Sequence, residues 1–195
     1  LVLANRSSGN FDPALFQTFL ARIQRDATLA LTEVVVWERS EFLATRERIE
    51  LALARTDFDR VVVWGGDGTV STAADALVGR PASLALVPTG TANLIAREVQ
   101  VPLLLPDAIE VALHGASDVH LDAMAALGRT FFSHLSLGLY ADLLERVDPA
   151  QKRRWGRLAY AAAGAAELWT HTARRYRIVL DGQASTVSAS TVMVA

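Results

Sequence analysis

Two stretches of this sequence carry residues suited to holding a phosphate. Gly65-Gly66-Asp67-Gly68-Thr69 follows the apolar run Val61-Val62-Val63-Trp64, and Pro88-Thr89-Gly90-Thr91-Ala92-Asn93 follows Ser83-Leu84-Ala85-Leu86-Val87. Each reads as a strand that breaks into a glycine turn. Without Cβ atoms at Gly65, Gly66 and Gly68, the backbone can turn sharply and approach another molecule closely. Helix-compatible sequence follows each turn, from Thr69 to Leu77 and from Leu94 to Glu98. The free N–H groups and the dipole of a helix N-terminus favour a phosphate. Asp67 is the odd member, because a carboxylate beside a phosphate calls for a divalent cation or for a proton to accept. A tight turn in which Asp67 only caps itself is the plainer alternative.

The elements that must position these turns are legible on either side of them. Leu1 to Ala4 reads as a first strand and Asn5 to Asn10 as a loop of small polar residues. Asp12 before Pro13 is a helix start, with a side-chain cap and proline at the first helical position. Leu15, Phe16, Phe19, Leu20 and Ile23 then form an apolar helical stripe. Thr32 to Trp37 reads as a second strand, and Ser40 as the cap of a helix running to about Arg55. Strand and helix alternate four times, which predicts a parallel sheet with helices on both faces. Adjacent strands ending in Gly/Thr turns would bring both turns to one edge of that sheet, where open α/β sheets bind ligands.

After Val101-Pro102-Leu103-Leu104-Leu105-Pro106 the pattern changes. Asp107 is expected to cap one more helix, and β-rich sequence begins between Ser117 and Leu121. Phe131 to Ser136 and Tyr176 to Leu180 read as strands, and Asp181-Gly182 as a hairpin turn. A domain boundary is expected near residue 115, with an α/β half over 1–115 and a mainly antiparallel half over 116–195. The chain starts inside one apparent strand and stops inside another, so the second half is expected to be incomplete.

Composition narrows the function classes. At 195 residues, 51% of them hydrophobic, the chain suits a soluble globular protein with a real core. A formal net charge of −2 argues against nucleic acid as the main partner. There is no cysteine, which excludes disulfides and thiolate metal sites. Leu1 to Ala4 is too short an apolar run for a signal peptide, and no run approaches the roughly 18 residues of a membrane span. A cytoplasmic enzyme is the expectation. His114, His120, His134 and His171 lack metal-ligand spacing and read as structural. Charge is uneven: from Arg146 to Arg177 eight basic residues face only Asp148 and Glu167. Within that stretch Lys152, Arg153, Arg154 and Arg157 flank Trp155, which suits an anionic lipid surface at the inner membrane face. A solvated basic face is the bland alternative.

Taken together, the motifs resemble the diacylglycerol kinase catalytic-domain family, which includes bacterial lipid kinases and sphingosine kinases and shares its fold with NAD kinases. The resemblance rests on Gly65 to Thr69, on Pro88 to Asn93 with Ala96-Arg97, and on Asn5-Arg6-Ser7-Ser8-Gly9, which is similar to the family's first nucleotide loop. It implies a nucleotide-binding α/β domain followed by a β-sandwich, and an ATP-dependent lipid kinase that uses magnesium. By the same resemblance, ATP meets Asn5, Arg6, Ser7, Ser8, Gly9, Gly65, Gly66, Asp67, Gly68, Thr69, Val70, Ser71, Thr72 and Thr91. Hydroxyls of Ser8, Thr69 and Thr91 are chemically able to donate to phosphate oxygens. Asp67 is implied as the catalytic residue near the metal or the acceptor. Asp122 is implied as a metal-network residue facing an interdomain cleft.

The chain departs from the family pattern at three places. Arg6 stands where proline is usual, Ser71 and Thr72 replace asparagine and glutamate, and Leu94 replaces a common aspartate. Two lost carboxylates bear on the ribose contact and the magnesium network. The family's further catalytic carboxylate and metal ligands are expected beyond Ala195. A NAD kinase-like enzyme and a non-catalytic nucleotide- or lipid-binding protein stay open as alternatives, as does a homodimer.

Overall fold

The computed structural model describes residues 1–30, 33–38, 42–126, 129–132, 134–139, 141–142 and 173–194. Four parallel strands form its main sheet: β1 (Val2–Asn5), β2 (Val34–Trp37), β3 (Arg60–Gly65) and β4 (Ser83–Pro88), in the order β2-β1-β3-β4. They alternate with α1 (Pro13–Arg25), α2 (Phe42–Arg55) and α3 (Asp67–Leu77), and α4 (Leu94–Glu98) and α5 (Leu105–His114) follow β4. Val61, Val62, Val63 and Trp64 are all buried, so β3 is covered on both faces. That placement explains its unbroken apolar run, since only a central strand of a two-sided sheet has no polar face.

Successive side chains of a strand point to opposite faces, and the sheet accordingly builds two cores. Leu3, Val35, Trp37, Val61, Val63 and Leu86 pack with Ile49 and Leu53 of α2, Val70 and Leu77 of α3 and Ile95 of α4. Val2, Ala4, Val62, Trp64 and Val87 pack on the other side with Phe16, Phe19 and Ile23 of α1 and Ile109 and Leu113 of α5. Phe16 and Phe19 each bring a ring centroid within 5.1 Å of Trp64.

Polar groups fix the helix ends. Asp12 Oδ1 accepts from the N–H groups of Ala14 (2.8 Å) and Leu15 (3.1 Å), and Pro13 opens α1 as the sequence predicts. Arg60, at the start of β3, donates to the carbonyls of Ala112, Leu113 and Gly115 at 2.9–3.2 Å. A guanidinium there satisfies the orphan carbonyls of α5 and meets the negative end of its dipole. Arg22 of α1 forms a two-pronged pair with Glu110 of α5, with Nη2 to Oε2 at 2.8 Å. Arg22 holds the Glu110 carboxyl below its ordinary range.

Several local expectations are corrected. Helix α3 begins at Asp67, because Gly66 takes the cap position and accepts from Thr69 and Val70 N–H. Asp107 does not cap α5. Leu104 precedes the helix and Asp107 lies within the first turn, where its charge still favours the dipole. Residues 115–123 form no regular element. Val119 is exposed there, and among the described residues no strand pairs with it. Phe131 to Ser136 is not one strand; the structure places β6 (Arg129–Phe131) and β7 (Leu135–Gly138) there, with β5 (Met124–Ala126) pairing antiparallel to β6. The Ser40 cap, the basic cluster at Lys152, Arg153, Arg154 and Arg157, and His171 lie outside the described residues.

The chain divides into two compact units, Leu1–Ser133 and His134–Ala195. In the second, β8 (Arg174–Leu180) and β9 (Gln183–Ala189) form an antiparallel hairpin, and β10 (Thr191–Val194) pairs antiparallel to β7. Asp181 and Gly182 take positive φ at the hairpin turn, which is what an Asp-Gly pair accommodates. Among the described residues, no helix is long and apolar enough to cross a membrane.

Phe19 is 1% exposed and Leu104 71% exposed. Phe19→Ala should therefore destabilise the first unit by about 3–5 kcal/mol. Leu104→Ala should change stability by less than about 0.5 kcal/mol. Urea unfolding followed by circular dichroism compares the two, and equal effects would contradict the assigned core.

Candidate functional site

Because the four strands are parallel, the chain leaves β1, β3 and β4 at one edge of the sheet. Asn5 ends β1, Gly66 follows β3, and the turn from Thr89 to Asn93 follows β4. All three turns precede helices, and they meet.

The glycines serve different ends. A Cβ on Gly65 would collide with the side chain of Thr69, its Oγ1 only 2.7 Å away, so the threonine folds back over the strand end. A Cβ on Gly66 would lie 2.9 Å from Gly90 Cα, and one on Gly90 would strike Gly66 Cα. The two turns therefore touch backbone to backbone. Gly68 is different: a Cβ there meets nothing within 4 Å. Internal packing does not require glycine at that position, which lies exposed in the first turn of α3.

Hydrogen bonds knit the three turns together. Asn5 Oδ1 accepts from Ser7 N–H at 2.9 Å, and its Nδ2 donates to Thr69 Oγ1 at 3.1 Å. Ser8 Oγ donates to Asn5 O at 2.8 Å and lies 2.7 Å from the buried Thr89 Oγ1. Asn10 donates through its backbone to Thr89 O and through Nδ2 to Gly90 O, at 2.8 and 3.2 Å. Asn93 sits at φ 51°, ψ 49°, accepts from Gly90 N–H at 2.9 Å, and donates to Gly90 O at 3.0 Å and Pro88 O at 3.4 Å. Asp67 Oδ1 accepts from Ile95 N–H at 3.0 Å. The carboxylate therefore caps α4, across the turn, and not its own helix.

Each residue singled out in the sequence has a definite place. Asn5, Ser8, Gly66, Asp67, Gly68, Thr69 and Thr91 come together at the edge, with Arg6, Ser7, Gly9 and Thr91 exposed. A Cβ on Gly9 would lie 3.7 Å from Thr91 Oγ1, which places the first turn against the crest of the third. Val70 turns its side chain into the core, and Thr72 Oγ1 donates to Gly68 O at 2.9 Å within its own helix. Ser71 is half-buried on α3. Asp122 is exposed in the irregular segment before β5, and no described hydrogen bond or ion pair joins it to the turns. Among the described residues, no three His, Cys, Asp or Glu side chains cluster as metal ligands. Asn10, Thr89 and Asn93 belong to the site's framework although the sequence marked none of them as a site residue. Their signal was adjacency to the glycine turns, and only the fold shows which neighbours bond.

The arrangement suits an anion held by backbone. Gly66 O takes Thr69 and Val70 N–H, which leaves the N–H groups of Asp67 and Gly68 without an intrahelical acceptor, and the helix dipole adds to their pull on negative charge. Arg6 is the single basic residue and Asp67 the single acid in these three turns. The crevice between Gly66, Pro88 and Asn93 encloses only about 10 Å³, too little for a phosphate.

Gly90→Ala should force the two turns apart, because the new methyl meets backbone that cannot swing away. A loss of about 1–3 kcal/mol is expected, measured as a lowered melting temperature. An unchanged melting temperature would contradict the backbone contact.

Comparison with known proteins identifies the family and the fold. The model of the family described as the diacylglycerol kinase catalytic domain matches residues 1–124. An uncharacterized protein, sll0036 of Synechocystis sp., is 27% identical over 178 residues, covering 90% of this chain and 40% of that protein. A Yersinia pestis protein named "Probable lipid kinase YegS-like" is 28% identical over 169 residues, covering 84% of this chain and 54% of that protein. The chain thus spans about half the length of the curated relatives it matches. The crystal structure of a diacylglycerol kinase from Bacillus anthracis superimposes with a TM-score of 0.67 at 23% identity, over 98% of this chain and 62% of that one. That likeness concerns the fold. With the family pattern matched over residues 1–124, which hold all three turns, the chain belongs to the diacylglycerol kinase catalytic-domain family.

Proposed function

We propose that the chain carries the ATP-phosphate site, and part of the lipid-binding half, of an ATP-dependent lipid kinase. The observation that supports this reading most is the meeting of three turns at one sheet edge, two of them in glycine-to-glycine contact. In this reading residues 1–115 hold the nucleotide and residues 116–195 contribute to lipid binding. The triphosphate lies along Asn5 to Gly9, Gly66 to Thr69 and Thr91. Its phosphates take the backbone N–H groups of Asp67 and Gly68 at the start of α3, over the open surface at Gly68, while Arg6 and the Thr91 hydroxyl flank them.

Transfer requires the hydroxyl oxygen of the lipid to attack the γ-phosphorus in line with the bridging oxygen. As the new O–P bond forms, the bond to the β-phosphate breaks, ADP leaves and the hydroxyl proton passes to a base, for which the free oxygen of Asp67 is the candidate in these turns. Such chemistry is mostly positioning and charge stabilisation. A bound magnesium ion would offset phosphate charge. Magnesium commonly keeps several waters and takes only one or two carboxylates beside substrate phosphates, so the donor set here fits it through Asp67. One Asp67 oxygen is engaged by Ile95 N–H, and the other is the carboxylate oxygen that remains for the cation or the acceptor. Asp122 is a second candidate for the metal network.

Two variants of the whole protein test the reading. Gly68→Ala should leave the melting temperature unchanged or slightly raised, since alanine is the better helix former, while weakening ATP binding about tenfold or more. Asp67→Asn keeps an oxygen for Ile95 N–H and should keep the fold, yet lower kcat by about 10²-fold. Normal ATP affinity in the first and normal turnover in the second would contradict the assignment. A panel of lipid alcohols with labelled ATP identifies the acceptor.

A further inference from the structure

Asn93 lies outside the residues proposed to touch ATP, yet its whole carboxamide is engaged with the turn that precedes it. It is 8% exposed and holds the left-handed conformation that asparagine tolerates better than most residues. Its Oδ1 accepts from Gly90 N–H, and its Nδ2 donates back to Gly90 O and to Pro88 O. Gly90 is the residue whose Cα rests on Gly66.

We propose that Asn93 is the positioning residue of the triphosphate site, holding Gly90 against Gly66 and thereby fixing the third turn beside the N-terminus of α3. The inference rests on the ATP reading above. Two consequences of the geometry carry it. Gly90 N–H, which a glycine turn would otherwise offer to a phosphate, is engaged by Asn93, so the exposed crest at Thr91 and Ala92 is what faces a ligand. Gly90 O accepts from both Asn93 Nδ2 and Asn10 Nδ2. That keeps a carbonyl, which repels phosphate, tied to the protein. A turn of glycine and threonine left free would have to be ordered on binding, and pre-ordering it removes that cost from the affinity.

The test uses the whole protein, with ATP and inorganic triphosphate as probes. Asn93→Gly keeps the left-handed backbone and removes the carboxamide. It should weaken both probes about tenfold or more, raise the KM for ATP and leave the KM for the lipid acceptor unchanged. In the ligand-free parent the Gly90 amide should exchange with deuterium far more slowly than the Ala92 amide, a readout that needs no variant. Unchanged affinity for both probes in Asn93→Gly, or equal exchange at Gly90 and Ala92, overturns the positioning role. A parent protein that binds neither probe overturns the ATP reading itself, and that failure is distinguishable because it appears before any substitution.

Discussion

Two stretches of backbone come into contact at Gly66 and Gly90, and neither turn keeps its path if either residue has a β-carbon. The other links at the sheet edge depend on that approach. It brings Ile95 N–H within reach of Asp67, and it sets the 89–93 turn where Ser8 and Asn10 can bond to it. The approach is prepared by the strands below. Gly65 pairs with Pro88 at the ends of β3 and β4, and the strands stay in register back to Arg60 and Ser83. The buried valines of β3 thus act on the site indirectly, by fixing where two turns emerge.

The polar groups at the edge divide into those that build and those that remain. Asn5, Ser8 and Thr89 are engaged with neighbouring turns, Asn93 with its own turn and Thr72 with its own helix. What is left at the surface is largely backbone, with Arg6, Thr91 and one oxygen of Asp67. A site of this kind binds by oriented dipoles that need not rearrange when the charge arrives, which is the condition under which electrostatic stabilisation is strongest.

The sheet was legible in the sequence because its signals are local. Val61 to Trp64 could be little else than a buried strand, Asp12-Pro13 announced α1, and Asp181-Gly182 announced the hairpin. The two glycine turns were legible for the same reason. What the sequence withheld were bonds between residues distant along the chain. Asp67 looked like a cap for its own turn or a catalytic group, and nothing local disclosed Ile95 as its partner. The glycines of one motif looked equivalent, yet Gly65 yields to Thr69, Gly66 to Gly90 and Gly68 to nothing inside the protein. The β-rich sequence expected from Ser117 to Leu121 onward starts its first strand at Met124, because a strand needs a partner for its backbone groups and Met124 is where pairing with β6 begins.

The central claim is that the three turns are one phosphate site. The most direct measurement is an amide chemical-shift titration of isotope-labelled protein with ATP and magnesium. Shifts that saturate together and cluster at Asn5 to Asn10, Gly66 to Thr69 and Thr89 to Ala92 are predicted. Saturable shifts elsewhere with these three segments unmoved, or shifts in one turn alone, would contradict it.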